Sequence, residues 1–202
     1  MSAIIGVVRE GKVIMATDTQ RTWGNVQTRA GAGYGSNVIW TENGVMLGVA
    51  GYQLIKYSIV PHPEWFDGLA HEPLTKRYLV ERVIPPFYRA MEEIEGIEEK
   101  SAERGRSRFS GAVLVARDDR LLCIDGDFGV IDVPDWCMIG SGSEYAAPRM
   151  ERFWRKDLSE RKTVALLRDA LTDAATYSKR TSPPFVIGDT VTKKLTGLED
   201  EK

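Results

Sequence analysis

Apolar positions open the chain in two short runs, Ala3 to Val8 and Lys12 to Asp18, separated by the polar, turn-length break Arg9-Glu10-Gly11. Runs of strand length around a glycine turn predict a β-hairpin that begins at the first residues. From Thr19 to Gly35 the pattern dissolves into Thr, Asn, Gln, Gly and Arg, with Gly24-Asn25 and Gly31-Ala32-Gly33-Tyr34-Gly35. That stretch reads as a long functional loop or an irregular strand. Apolar residues resume at Val38-Ile39-Trp40, and Glu42-Asn43-Gly44 marks a turn before the glycine-rich strand Val45 to Gly51. A second hairpin is therefore expected, completing a first sheet and packing tightly where its glycines lie.

The period then changes. Leu79, Val80, Val83, Ile84, Phe87, Tyr88, Met91 and Ile94 recur at intervals of three and four, the stripe of an amphipathic helix that Pro85-Pro86 should kink or split. Glu95 to Arg108 reads as a solvated connection whose Arg104, Arg106 and Arg108 face water. Gly111 to Ala116, Leu121 to Ile124, Gly129 to Val133 and Trp136 to Ile139 are short strands punctuated by Asp118-Asp119, Asp125-Gly126-Asp127 and Pro134-Asp135, which predicts a second antiparallel meander. Gly140-Ser141-Gly142-Ser143 leads into a helix through Trp154, with Ser143 a candidate N-cap. Thr163, Leu166, Leu167, Ala170, Leu171, Ala174 and Ala175 mark a second helix of about four turns, and Val186 to Thr192 a last strand. Strands, helices, strands, helices, strand is the order of an α+β fold, a four-layer α-β-β-α sandwich of two antiparallel sheets in one domain spanning residues 1–202.

Composition narrows the function. Lys and Arg number 27 against 29 Asp and Glu, and 43% of residues are hydrophobic, as in an ordinary globular domain without the basic field of a dedicated nucleic-acid binder. Cys123 and Cys137 are too few for a disulfide framework and lack metal-ligand spacing, which suits a reducing, cytoplasmic setting. Ala3 to Val8 is too short for a signal core, and no later apolar run approaches the roughly 18 residues of a membrane span. Neither export nor membrane insertion is expected.

Chemistry is constrained by what is missing. His62 and His71, the only histidines, lie in a proline-bounded segment with no nucleophile signature, so serine–histidine and histidine–metal catalysis have little support. No phosphate-binding glycine motif occurs between a strand and a helix, and no cofactor or metal is expected. What remains is a nucleophile that carries its own base: Ser2, once Met1 is removed, would present a hydroxyl beside an α-amine of pKa about 8.

The series Ser2, Ile4-Ile5-Gly6-Val7-Val8, Gly11-Lys12-Val13-Ile14-Met15-Ala16-Thr17-Asp18-Thr19-Gln20 and Gly24-Asn25 resembles the opening of proteasome β-subunits and of the peptidase subunit of the bacterial heat-shock proteasome-like protease. Leu47-Gly48-Val49-Ala50-Gly51 is similar to that family's oxyanion strand, and Ile139-Gly140-Ser141-Gly142-Ser143-Glu144-Tyr145-Ala146 to its GSG turn before a helix. The resemblance implies an N-terminal-nucleophile hydrolase fold and a peptidase, with Ser2 as nucleophile in place of threonine. It implies that Asp18 orients the proton relay, that Gly48 donates its N–H to the oxyanion, and that Ser141 hydrogen-bonds near the amine. It also implies a polypeptide substrate, self-association into homo-oligomeric rings and compatibility with an ATPase or other regulatory partner.

Two departures stand out. The lysine that the family places ahead of the oxyanion strand is missing, with Tyr34 to Asn37 at the corresponding positions; Arg21 or Arg29 could stabilise charge there but not relay a proton. The family's aspartate after the last helix is replaced at about Ser178. A catalytically silent structural or assembly subunit, and an amidase acting on a small substrate, are the alternatives.

Overall fold

The computed structural model describes residues 2–23, 26–29, 37–51, 53–93, 98–100 and 107–197. The strands in chain order are β1 (Ile4–Arg9), β2 (Lys12–Asp18), β3 (Gln20–Trp23), β4 (Val26–Arg29), β5 (Val38–Trp40), β6 (Met46–Gly51), β7 (Glu98–Lys100), β8 (Ser107–Phe109), β9 (Gly111–Arg117), β10 (Arg120–Ile124), β11 (Val130–Asp132), β12 (Trp136–Ile139), β13 (Phe185–Asp189) and β14 (Leu195–Gly197). The helices are α1 (Gln53–Ile59), α2 (Lys76–Tyr78), α3 (Ile84–Glu93), α4 (Ser143–Phe153) and α5 (Glu160–Tyr177), with a 3-10 segment over Pro63–Ala70.

Two five-stranded antiparallel sheets form, ordered β12-β1-β2-β13-β14 and β11-β10-β9-β6-β5. Strand alternation explains why both stack between helices. Along β1, Ile5 and Val7 pack against Ala146, Met150, Leu167 and Leu171 of α4 and α5, while Ile4 joins Met15, Met46, Ala50 and Leu114 between the sheets. Along β6, Leu47 and Val49 pack with Ile55, Leu79, Val83 and Phe87 on the other helical layer, while Met46 and Ala50 face the first sheet. Strands covered on both faces carry apolar residues at nearly every position, which is why Ala3 to Val8 reads as a continuous run. The four-layer α-β-β-α sandwich is the observed architecture.

Its topology differs from the sequence expectation in two places. The β5–β6 hairpin does not complete the first sheet; it lies on top of it, in the second sheet, paired with β9. Gly48 permits that stacking, since a Cβ there would sit 3.1 Å from Ile4 Cγ2 and 3.2 Å from Met15 Sδ. Conversely β12 leaves the meander and crosses to pair with β1, Ile4 opposite Ile139. Connection length in sequence does not say which sheet a strand joins when both sheets bury one face against the same central layer.

Local differences have local causes. Pro85-Pro86 neither breaks nor splits the helix: the preceding turn, Leu79–Val83, widens to a π-turn in which Ile84 N–H reaches Leu79 C=O, making room for two rings that carry no N–H. Residues 98–100 and 107–109 pair as a short ribbon, β7–β8, within the expected solvated connection, and β3–β4 form another within the stretch read as a loop or an irregular strand. The 3-10 segment over Pro63–Ala70 was not expected. Gly142, not Ser143, is the N-cap of α4, and the Ser143 hydroxyl donates to Gly140 C=O at 2.7 Å. Met1, Gly24-Asn25, Gly31 to Gly35, Tyr52, Arg104 and Arg106 lie outside the described residues, as do the side chains of Arg21, Trp23, Arg29 and Arg108.

Candidate active site

Pairing of β1 with β2 sets Ile4 opposite Thr17, so Ser2 and Ala3 run along the end of β2 beside Asp18. The Asp18 carboxylate accepts Ala3 N–H at 2.9 Å through Oδ1 and Gln20 N–H at 3.2 Å through Oδ2. Thr17 Oγ1 donates to Ala3 C=O at 3.0 Å, which fixes the strand entry from the other side. Asp18 is fully buried. Burial raises its pKa to about 6 against the opposing backbone N–H donors of Ala3, Gln20 and Ser182. A carboxyl group with that value changes charge near neutrality, beside the backbone of the candidate nucleophile.

Ser2 is itself buried, and its hydroxyl is held from two directions. Asn37 Nδ2 donates to Ser2 Oγ at 2.6 Å, and Ser2 Oγ donates to Gln20 C=O at 3.4 Å. Asn37 is the last of the positions at which the resemblance calls for a lysine; Tyr34, Gly35 and Ser36 lie outside the described residues. An amide donor stabilises negative charge on the oxygen it faces, but it does not titrate and takes up no proton.

The GSG turn closes the site from the β12 end. Gly140 has φ +95°, and a Cβ there would fall 1.9 Å from Ser2 C=O, so only glycine fits against the Ser2 backbone. A Cβ on Gly142 would meet Thr181 Oγ1 at 2.5 Å and Ala3 Cβ at 2.9 Å. Between these glycines Ser141 Oγ is buried without a hydrogen-bond partner among the described residues, and so is Thr181 Oγ1. Two buried, unpaired hydroxyls thus accompany the glycines that pack on Ser2 and Ala3. Ser178, where the resemblance calls for an aspartate, caps the C-terminus of α5, and its hydroxyl accepts Arg180 N–H at 3.3 Å.

Ser2, Asp18 and Ser141 thus converge on one end of the first sheet; Gly48 does not join them. Val49 N–H bonds Asn37 C=O at 2.8 Å on the β5 side, so strand alternation turns the Gly48 N–H toward β9, where Leu114 is its register partner. The end of β6 is what borders Ser2: Ala50 Cβ lies 3.3 Å from the Cβ position of Gly140. Gly51, with φ +122°, ends that strand on the same side as Val49. Sequence reasoning marked Asn37 only as one of the positions of the missing lysine and did not name Thr181, because a lone polar residue before a strand or after a helix has no spacing signal. Gly140 was legible as part of a turn but not as the residue that seats Ser2. His62 instead stacks on Trp65, ring centroids 4.4 Å apart, with Nδ1 2.7 Å from Glu64 Oε1.

Among the described residues no group of His, Cys, Asp and Glu is arranged to hold a metal ion, and no helix is long and apolar enough to cross a membrane.

The family model described as proteasome subunit matches residues 95–188. No curated protein is a significant match. Among solved structures, the chain is similar to Thiobacillus denitrificans BPH, with TM-score 0.69 and 19% identity over 98% of this chain and 100% of that one. The same protein in complex with epoxomicin gives TM-score 0.68 and 18% identity, covering 98% and 99%. Anbu, the ancestral β-subunit from Yersinia bercovieri, gives TM-score 0.70 and 12% identity, covering 98% and 88%. The proteasome-subunit resemblance read from the ordered motifs is borne out, and the chain has the fold of a proteasome-like subunit.

Proposed function

We propose that this chain is a proteasome-like peptidase subunit that cleaves peptide bonds through Ser2 after Met1 is removed, within a homo-oligomeric ring in the cytoplasm. The observation that carries the reading is the Ser2 hydroxyl, held at 2.6 Å by Asn37, one residue from the N–H that binds the Asp18 carboxylate. With Met1 gone, the Ser2 α-amine takes the Oγ proton as Oγ attacks the scissile carbonyl carbon. The oxyanion is received by the Gly51 N–H at the end of β6, in place of the Gly48 expected from the sequence, because that N–H falls on the Ser2 side of the strand. The leaving amine takes the proton from the α-amine, and water then hydrolyses the Ser2 ester by the same route. Asp18 and the unpaired hydroxyls of Ser141 and Thr181 hold the α-ammonium while it carries the proton. A ring would confine the reaction to unfolded polypeptide, with an ATPase or other regulator supplying substrate.

The neutral Asn37 favours a second reading, a structural subunit without activity, since it leaves the Ser2 hydroxyl without a neighbouring cation from that position. Epoxomicin, bound by Thiobacillus denitrificans BPH, is the probe that separates the two. Intact mass and N-terminal sequencing before and after treatment should show loss of Met1 and one adduct on Ser2, absent in Ser2→Ala. Retained Met1 with no adduct at any pH establishes the silent subunit instead.

A further inference from the structure

We infer that Cys123 and Cys137 form an oxidation-sensitive thiol pair that closes into a disulfide between the two sheets when the protein meets a hydroperoxide. The pair follows from strand alternation. On β10, Leu122 and Ile124 pack on the α1–α3 layer while Leu121 and Cys123 turn inward between the sheets; on β12, Trp136 and Met138 pack on the α4–α5 layer while Cys137 and Ile139 turn inward. The two thiols therefore approach the same layer from opposite sides. Sheets ordinarily stack about 10 Å apart, wider than the 4.4–6.8 Å that a disulfide spans between Cα atoms. Gly6 narrows the gap here. It is the register partner of Cys137, and a Cβ on it would lie 3.0 Å from Leu121 Cδ2 and 3.2 Å from Leu114 Cδ1, Leu114 being the partner of Cys123. A missing side chain at that point lets the side chains of β9 and β10 close onto the β1–β12 pair, and the two free thiols lie in the same inter-sheet cluster.

That neighbourhood makes the pair unequal. Cys123, buried beside the Cys137 sulfur, has its ionisation pushed up; Cys137, only partly buried and donating to Met138 C=O at 3.9 Å, is lowered by the Cys123 thiol. The Cys137 thiolate attacks one peroxide oxygen, the O–O bond breaks, and a sulfenic acid and hydroxide result. The Cys123 sulfur then attacks the sulfenyl sulfur; its proton and the departing hydroxyl leave as water. Two thiols lose two electrons to one hydrogen peroxide, giving one disulfide and two waters. The bond would tie β12, which runs through Ile139 into the glycine seating Ser2, to the second sheet.

The test uses the full chain as purified, with hydrogen peroxide as oxidant, followed by denaturation in iodoacetamide and intact mass with peptide mapping. The expected result is a mass lower by about 2 Da, loss of both alkylatable thiols together, one Cys123–Cys137 cross-linked peptide, and full reversal by dithiothreitol. In Cys123→Ser, dimedone should capture a sulfenic acid on Cys137. Oxidation of wild type that stops at a dimedone-reactive Cys137, links two chains, or leaves both thiols alkylatable overturns the inference. Neither outcome depends on Ser2 being a nucleophile.

Discussion

Asn37 Nδ2 lies 2.6 Å from Ser2 Oγ, so the hydroxyl at the head of β1 is positioned by a neutral amide from the segment leading into β5. A neutral donor lowers the energy of a developing alkoxide without supplying a base, so in the proposed reaction the proton from Ser2 goes to the α-amine. The rate of epoxomicin addition to Ser2 should therefore rise with a single ionisation near the amine's ordinary pKa of about 8 and level off above it. Asn37→Leu should slow labelling about tenfold, as expected for loss of one hydrogen bond of about 1.4 kcal/mol, without moving that midpoint. Asn37→Lys should instead shift the midpoint downward, because a cation beside the hydroxyl and amine favours their deprotonated forms. Labelling rates across pH for the three proteins check both statements.

Asp18 gives a pH dependence whose sign is the reverse of most carboxylates. Its folded-state pKa of about 6 lies above the ordinary 3.8, so between those values the native chain holds a proton that the unfolded chain has released. Stability then falls as pH rises through that window, by about 3 kcal/mol in total, because about 1.4 kcal/mol accompanies each pKa unit. In Asp18→Asn this slope should vanish, so that the variant gains on wild type by about that amount between pH 3.5 and pH 7 in urea denaturation. Wild type that has lost Met1 should show a shallower slope than protein retaining it, since the new ammonium beside Asp18 favours its ionised form.

How much of this was legible in the sequence depended on whether a residue's role is local. Leu167 and Leu171 announced their face because helical periodicity is a property of the chain itself, whereas the continuous apolar run of β1 did not say that Ile5 and Val7 face the helices. The assignment of β5, β6 and β12 to sheets was not legible, because β6 looks equally apolar whether it lies beside β1 or on top of it. The site divided the same way. Ser2 could be found by its place in the chain and Asp18 through the resemblance of the strand it closes, whereas Asn37 was marked only as a position of the missing lysine and Thr181 reaches the site by tertiary approach alone. Gly48 was expected to face the site but turns its N–H toward β9, since sequence spacing does not show which way an N–H points until the register with β9 is known.

That register yields a discriminating pair of substitutions. Gly48→Ala puts a methyl 3.1–3.4 Å from Ile4, Met15 and Leu114, an overpacked inter-sheet contact that should cost about 1–3 kcal/mol. The Ser2 labelling rate per folded molecule should stay within about twofold, because the Gly48 N–H faces β9 and not the substrate. Gly51→Ala places its methyl 2.3 Å from Ser110 C=O at a φ of +122° and must displace the peptide that carries the proposed oxyanion donor. Labelling should fall about 100-fold or more. Single-turnover labelling, normalised by the folded fraction from circular dichroism, checks the contrast.

Gly140 and Gly11 share a positive φ, +95° and +73°, yet only one of them should be intolerant of alanine. A Cβ on Gly11 meets nothing within 4 Å, so Gly11→Ala carries backbone strain alone, about 1 kcal/mol. A Cβ on Gly140 lands 1.9 Å from Ser2 C=O, and relief requires either Ser2 or the entire turn into α4 to move. Moving Ser2 breaks its bond to Asn37 and pulls Ala3 N–H from Asp18; moving the turn strips the Ser143 bond to Gly140 C=O. Gly140→Ala should therefore cost about 3 kcal/mol or more, a fall in thermal midpoint of about 10 °C, against a few degrees for Gly11→Ala. It should also abolish Ser2 labelling at temperatures where the variant remains folded, while Gly11→Ala labels at the wild-type rate. Parallel melts and labelling of the two variants make the measurement, and equal melting losses would show that Ser2 is not seated by Gly140.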